Sequence, residues 1–171
     1  MTTTQQEATV ARGRSRVAAV LGAGSGGPAA DVALVLVRIA LAWIFVWYGA
    51  GKLFGAWNGA GLHETSRFMS DIAGLHPGGL FAVVGGVLEF GGAIALVLGI
   101  GTRLVGVGLF IDMVMAMITV TWSHGFNTAK VPPGYELNVA LAALALVVVF
   151  LGAGRFSLDA LVTRRLGPTG E

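Results

Sequence analysis

Val83-Val-Gly-Gly-Val-Leu-Glu-Phe-Gly-Gly-Ala-Ile-Ala-Leu-Val-Leu-Gly-Ile-Gly-Thr-Arg103 is apolar enough to cross a bilayer, yet Glu89 sits near its middle. A charge at that depth costs about 2.5–3.5 kcal/mol on insertion scales unless it is paired, protonated or hydrated. Gly85 lies one turn before Glu89 on the same face, and Gly92 and Ala93 lie one turn after it. These small residues let a neighbouring helix or a ligand come close to the carboxyl. The rest of the chain has to account for one acid on a narrow, glycine-lined helix.

Composition sets the class. The chain is 55% hydrophobic and 12% charged, with a mean hydropathy of +0.79. Soluble domains carry about 25% charged residues, so this is the composition of a membrane protein. Cysteine is absent. No disulfide, Cys-ligated iron–sulfur cluster, zinc–thiolate site or thiol redox couple can belong to this chain. The net charge of +2 is small, and the basic residues are placed as a topology signal, not as a nucleic-acid footprint.

Working outward from the central stretch, the pattern predicts an all-α membrane four-helix bundle. The expected spans are Val32–Phe54, Gly79–Gly101, Arg103–Trp122 and Tyr135–Ala153. The first is roughly 34 Å of helix, long enough to cross with some tilt. Between the first two spans, Leu62–Ala73 reads as a short interfacial helix, with Leu62, Phe68, Met69 and Ile72 on one face. Residues 1–31 read as a flexible basic cytoplasmic tail carrying Arg12, Arg14 and Arg16. Val17–Leu21 is too short for the apolar region of a signal peptide. Residues 32–162 form the membrane domain and 163–171 a second cytoplasmic tail. Arg12, Arg14, Arg16, Arg103, Arg155, Arg164 and Arg165 fall on one side of such a bundle, against Lys52, Arg67 and Lys130 on the other. That asymmetry places both termini in the cytoplasm. Leu98-Gly-Ile-Gly-Thr-Arg103 and Leu151-Gly-Ala-Gly-Arg155 end two spans alike, which hints at a two-plus-two repeat of hairpins.

Helical rise puts Arg38 roughly 9 Å, Asp112 roughly 14 Å and Glu89 roughly 18 Å from the cytoplasmic ends. One network of Arg38, Asp112 and Glu89 in the cytoplasmic half is therefore expected, with Glu89, the deepest, keeping a proton. These three are the candidate catalytic residues; an equal account is that they only pair and fix helix register. Tyr48, Lys52, His124, Lys130 and Glu136 gather at the outer end with Trp47 and Trp122. They read either as belt and snorkelling residues or as a substrate pocket in which Glu136 pairs with Lys52 or His124. No histidine lies inside a span, which excludes a buried bis-histidine haem, and no metal site is expected. The glycine runs lack a P-loop lysine and follow no strand, so there is no nucleotide fingerprint.

These residues resemble the DoxX family of four-helix integral membrane proteins over about Val32–Val162. The resemblance rests on Arg38-Ile-Ala-Leu-Ala-Trp-Ile-Phe-Val-Trp-Tyr-Gly-Ala-Gly-Lys-Leu-Phe54, on Leu88-Glu-Phe-Gly-Gly92 with its Gly-Thr-Arg103 turn, on Gly134-Tyr-Glu136, and on Leu151-Gly-Ala-Gly-Arg-Phe-Ser-Leu-Asp159. Family members often carry a histidine where Tyr48 stands. The resemblance implies a membrane subunit of an oxidoreductase such as thiosulfate:quinone oxidoreductase, or a partner of soluble redox enzymes such as superoxide dismutase and a sulfurtransferase.

Three roles fit: a plasma-membrane subunit of a quinone-linked or oxidative-stress redox assembly, a non-catalytic scaffold recruiting a soluble redox enzyme, and a small-solute carrier. In the first, Glu89 and Asp112 handle protons, Arg38 balances charge, and quinone is the cofactor; none is bound covalently. The lipid bilayer is the constant partner, and a homo-oligomer is compatible with each role.

Overall fold

The computed structural model describes residues 27–166, and among them every regular element is helical. The helices are α1 (Pro28–Phe54), α2 (Gly61–Asp71), α3 (Gly78–Leu98), α4 (Thr102–Ala116), α5 (Glu136–Leu151) and α6 (Leu158–Leu166). After Ala116 the chain continues as a π-helix over Met117–Thr121 and a tight turn over Trp122–His124. α1, α3 and the run Thr102–His124 are each long and apolar enough to cross a membrane. α5, at 16 residues, is apolar but shorter. Leu34–Glu171 forms one compact unit, and the described part of Met1–Ala33 is Gly27 and the opening turns of α1.

Local chemistry sets the boundaries. α1 begins at Pro28, whose missing N–H costs nothing at the first helical position, and Asp31 meets the positive end of the helix dipole. The helix therefore takes in residues 28–31 of the expected tail; the part bearing Arg12, Arg14 and Arg16 lies outside the described residues. α5 falls short of the expected span because Tyr135 is not yet helical and Gly152 turns the chain at φ 76°. α6 was not anticipated as a helix. Ser157 starts it, its hydroxyl oxygen accepting from the Ala160 N–H at 3.1 Å, and it runs past the boundary drawn at residue 162. Residues 167–171 lie outside the described part.

The helices meet through small residues. A Cβ on Gly49 of α1 would lie 2.5 Å from the Phe90 nitrogen of α3, and one on Gly106 of α4 would lie 3.1 Å from the Ala145 oxygen of α5. Leu41, Phe45, Leu96, Leu109 and Val148 close the core with no appreciable exposure. Leu36, Trp43, Val87, Leu104, Ile118 and Phe150 face outward. Helices apolar on both faces suit a lipid surround.

Arg38 ties one end of this bundle together. Its Nε donates to the Leu96 oxygen at 2.7 Å and Nη2 to the Val97 oxygen at 3.0 Å. Its Nη1 donates to the Ala153 and Phe156 oxygens at 2.7 and 2.9 Å. The first two are among the last four carbonyls of α3, which have no partner within their own helix. Asp159 caps the opposite polarity, accepting from the Gly101 and Thr102 N–H groups at 2.9 and 3.3 Å, at the start of α4. The paired Gly-x-Gly motifs share a backbone form, with positive φ at Gly99, Gly101, Gly152 and Gly154.

Gly99 is the tightest point of the knot. A Cβ there would stand 2.6 Å from Arg38 Nη2 and 2.5 Å from Ser157 Cβ, on a residue already at φ 71°. Gly99→Ala loses about 1–2 kcal/mol to the left-handed conformation alone, and displaces the guanidinium besides. Gly101, at φ 55°, has open space around it. Thermal unfolding in mild detergent should rank Gly99→Ala well below Gly101→Ala; equal melting temperatures would show that the Arg38 contact adds nothing.

Candidate functional site

Glu89 lies near the middle of α3, its side chain 2% exposed, between the small residues Gly85, Gly86, Gly92 and Ala93. Lys52, in the last turn of α1, reaches it with Nζ 2.7 Å from Glu89 Oε1. A lysine at a helix C-terminus suits the dipole there, and its four-carbon stem carries the ammonium inward from the helix end. Asp112 of α4 is the third member, within hydrogen-bonding reach of Glu89. Glu89 Oε2 and Asp112 Oδ2 are both buried with no hydrogen-bond donor against them. Asp112 lies beside Gly85, where a Cβ would meet its Oδ1 at 3.8 Å, an ordinary van der Waals contact. From α2, the Thr65 hydroxyl donates to the Lys52 carbonyl at 3.3 Å and holds that helix over the end of α1.

A cavity of about 550 Å³ reaches this triad, with Lys52 and Asp112 in its wall. Phe68 and Met69 of α2, Val84 and Leu88 of α3, and Ile111 and Met115 of α4 make most of the rest of the wall apolar. Val84 and Ile111 are 54% and 53% exposed on the outer surface of the helices. The cavity therefore opens sideways, toward where lipid would lie. The π-helical residues Thr119, Val120 and Thr121 also line it, and such widened turns are frequent at functional sites. The arrangement offers an apolar molecule a slot ended by one cation and one acid, with Glu89 behind them.

The structure regroups the residues expected from sequence. Glu89 and Asp112 do come together. Arg38 does not join them: its donors are taken by four backbone carbonyls at the far end of α3 and beyond α5. The reason is supply and demand, because a five-donor guanidinium matches a cluster of free helix-end carbonyls better than a single carboxylate. Lys52 leaves the expected outer group and takes that place. The rest of the outer group does not form the expected pocket. Glu136 accepts from Thr128, the His124 ring meets the Pro133 carbonyl at 3.1 Å, and Tyr48 is 48% exposed. The outer aromatics stack in pairs, Trp47 on Trp57 at 4.7 Å and Trp122 on Tyr135 at 5.1 Å. Sequence reasoning passed over Thr65 and the π-helical turn. The close spacing of Thr119 and Thr121, polar residues inside an apolar span, was the available signal.

The DoxX family profile matches residues 33–122, which include Arg38, Lys52, Glu89 and Asp112. Inner membrane protein YphA of Escherichia coli (strain K12) is 31% identical over 137 residues, covering 78% of this chain and 92% of that protein. The chain belongs to the DoxX family. A second profile, described as TQO small subunit DoxD, matches residues 80–169 of this DoxX protein. No solved structure matches it. With its apolar helices and its inner-membrane relative, this DoxX chain is a multi-pass protein of the plasma membrane.

Removing one partner of a buried ion pair leaves the other uncompensated, at a cost of about 3–5 kcal/mol. Lys52→Met should therefore lower the melting temperature of the DoxX chain sharply, and adding Glu89→Gln should restore most of the loss. A double variant as unstable as the single one would show that Lys52 stabilises the bundle by some other means.

Proposed function

We propose that the chain is the membrane subunit of a redox assembly and offers a quinone site in the cavity that ends at Lys52, Asp112 and Glu89. The observation that carries this reading is a buried, incompletely partnered acid, Asp112, in the wall of an apolar slot open toward lipid, with Glu89 behind it. Buried polar atoms without donors are rare outside functional sites, and ionisable groups at mid-membrane are by default functional candidates. The match to a profile described as a small subunit of TQO supports the same reading.

The residues suit that head group. Lys52 Nζ keeps N–H donors beyond the one given to Glu89 and faces the cavity, so it can hold a carbonyl oxygen. Asp112 can accept from a hydroxyl, and the Glu89–Asp112 pair can hold or pass a proton at the same place. The apolar walls suit a ring and tail. A bound quinone would take two electrons from a soluble redox partner and two protons by way of these side chains. In this reading the bundle crosses the membrane four times. α5, about 24 Å long by helical rise, is the fourth crossing. The termini and the Gly99–Gly101 turn face the cytoplasm, as the seven-to-three distribution of basic residues favours.

Two variants test it together, each checked first for folded protein in the membrane. Glu89→Gln should lower partner-dependent quinone reduction. Gly85→Leu should fill the cavity beside Asp112 and weaken binding of a short-chain benzoquinone by about tenfold or more, 1.4 kcal/mol. Unchanged reduction in the first would remove Glu89 from the chemistry; unchanged binding in the second would move the ligand out of this cavity.

A further inference from the structure

The acid pair poses a problem that Lys52 alone does not solve. Ionised carboxylates only accept hydrogen bonds. Lys52 supplies a donor to Glu89 Oε1, while Glu89 Oε2 and Asp112 Oδ2 remain buried without one. Counting charge gives the same answer: one ammonium against two carboxylates leaves one net negative charge at mid-membrane, where charge is costly. A single proton shared by the two carboxyls removes that charge and turns one of them into a donor for the other.

The neighbouring elements supply no competing group. α1 brings Lys52. On α2, His63, Glu64 and Arg67 are solvent-exposed and engaged with one another, and Asp71 is exposed. α3 has no other titratable residue, and α4 has only Arg103, which lies at the opposite end beside Gly152. α5 has only Glu136, held in its first turn by Thr128.

The packing around the acids is one-sided. Toward the Arg38 end, Leu41, Phe45, Ala93, Leu96, Leu109 and Val148 form a continuous apolar plug, each at most 1% exposed. In the other direction, Lys52 is 27% exposed and lines the cavity with Thr65. We propose that Glu89 and Asp112 hold one proton between them in the resting protein, and that this proton exchanges only with the membrane face carrying residues 55–77. The pair is then a one-sided proton store and not part of a path across the membrane. This goes beyond the quinone reading and does not depend on what fills the cavity.

A lipid-soluble carbodiimide reads the proton directly. It reacts with a protonated carboxyl in apolar surroundings: the acid proton passes to a carbodiimide nitrogen, the carboxyl oxygen bonds the central carbon, and rearrangement leaves a stable N-acylurea that peptide mass spectrometry locates. The full chain would be labelled in right-side-out and inside-out membrane vesicles while the pH of one compartment is varied. The expected result is one label per chain, on Glu89 or Asp112. Above the midpoint its rate should fall about tenfold per pH unit on the 55–77 side, with no response to the other side. In Asp112→Asn the lone Glu89 faces Lys52 as a simple ion pair, and its labelling should be lost. Glu89→Gln gives the complementary test on Asp112 should the first variant fail to accumulate. Labels on both carboxyls of one chain, no label on either in the wild type, labelling that follows the opposite compartment, or full labelling of Glu89 in Asp112→Asn would each overturn the proposal.

Discussion

The guanidinium of Arg38, donating to four backbone carbonyls, is the interaction on which the bundle depends. A helix in a bilayer has no water to satisfy its last carbonyls, so its ends must find protein donors or reach the interface. Arg38 takes two carbonyls at the end of α3 and two from the segment after α5. It thereby joins three parts of the chain at one point. Asp159 completes the junction by accepting from the first N–H groups of α4. Charge of each sign is placed where the helix ends expose the opposite partial charge.

Because Arg38 is committed to that junction, the acids in the middle of the bundle have to be compensated from the other direction. Lys52 does this from the last turn of α1, leaving Glu89 and Asp112 as a pair that one lysine cannot fully neutralise. The two ends of the molecule thus differ in kind. One is a closed knot of hydrogen bonds behind an apolar plug. The other is a looser assembly of α2, the π-helical turn and a lysine around a cavity. Groups that bind or exchange belong at the second kind of end, since most donors and acceptors of the first are already engaged within the protein.

The glycines link architecture to site. Gly49 and Gly106 bring helices to backbone contact, and Gly85 lines the cavity beside Asp112. The same substitution of hydrogen for a side chain gives tight packing where a helix fills the space and a cavity where none does. The proposed quinone site draws on that second use, with α2 as a wall of the slot on the Lys52 side.

Much of this was legible in the linear chain. Hydropathy and the polar breaks locate the membrane helices to within a few residues, because a segment in lipid must be apolar along its length and its backbone must bond internally. Glu89 and Asp112 stood out as candidates for the same reason: a charge there is expensive wherever the chain goes. The shortening of α5 and the start of α6 at Ser157 turn on single residues at helix ends, where sequence signals are weakest. What the sequence by itself determined is that Arg38, Glu89 and Asp112 lie inside apolar helices. Which of them meet was decided by tertiary structure. Depth along a helix axis does not say toward which end a long, flexible side chain will run. Arg38 turned to the carbonyls that α3 and α5 expose only once folded, and Lys52, which read as an interfacial lysine, turned inward to the acid left without it.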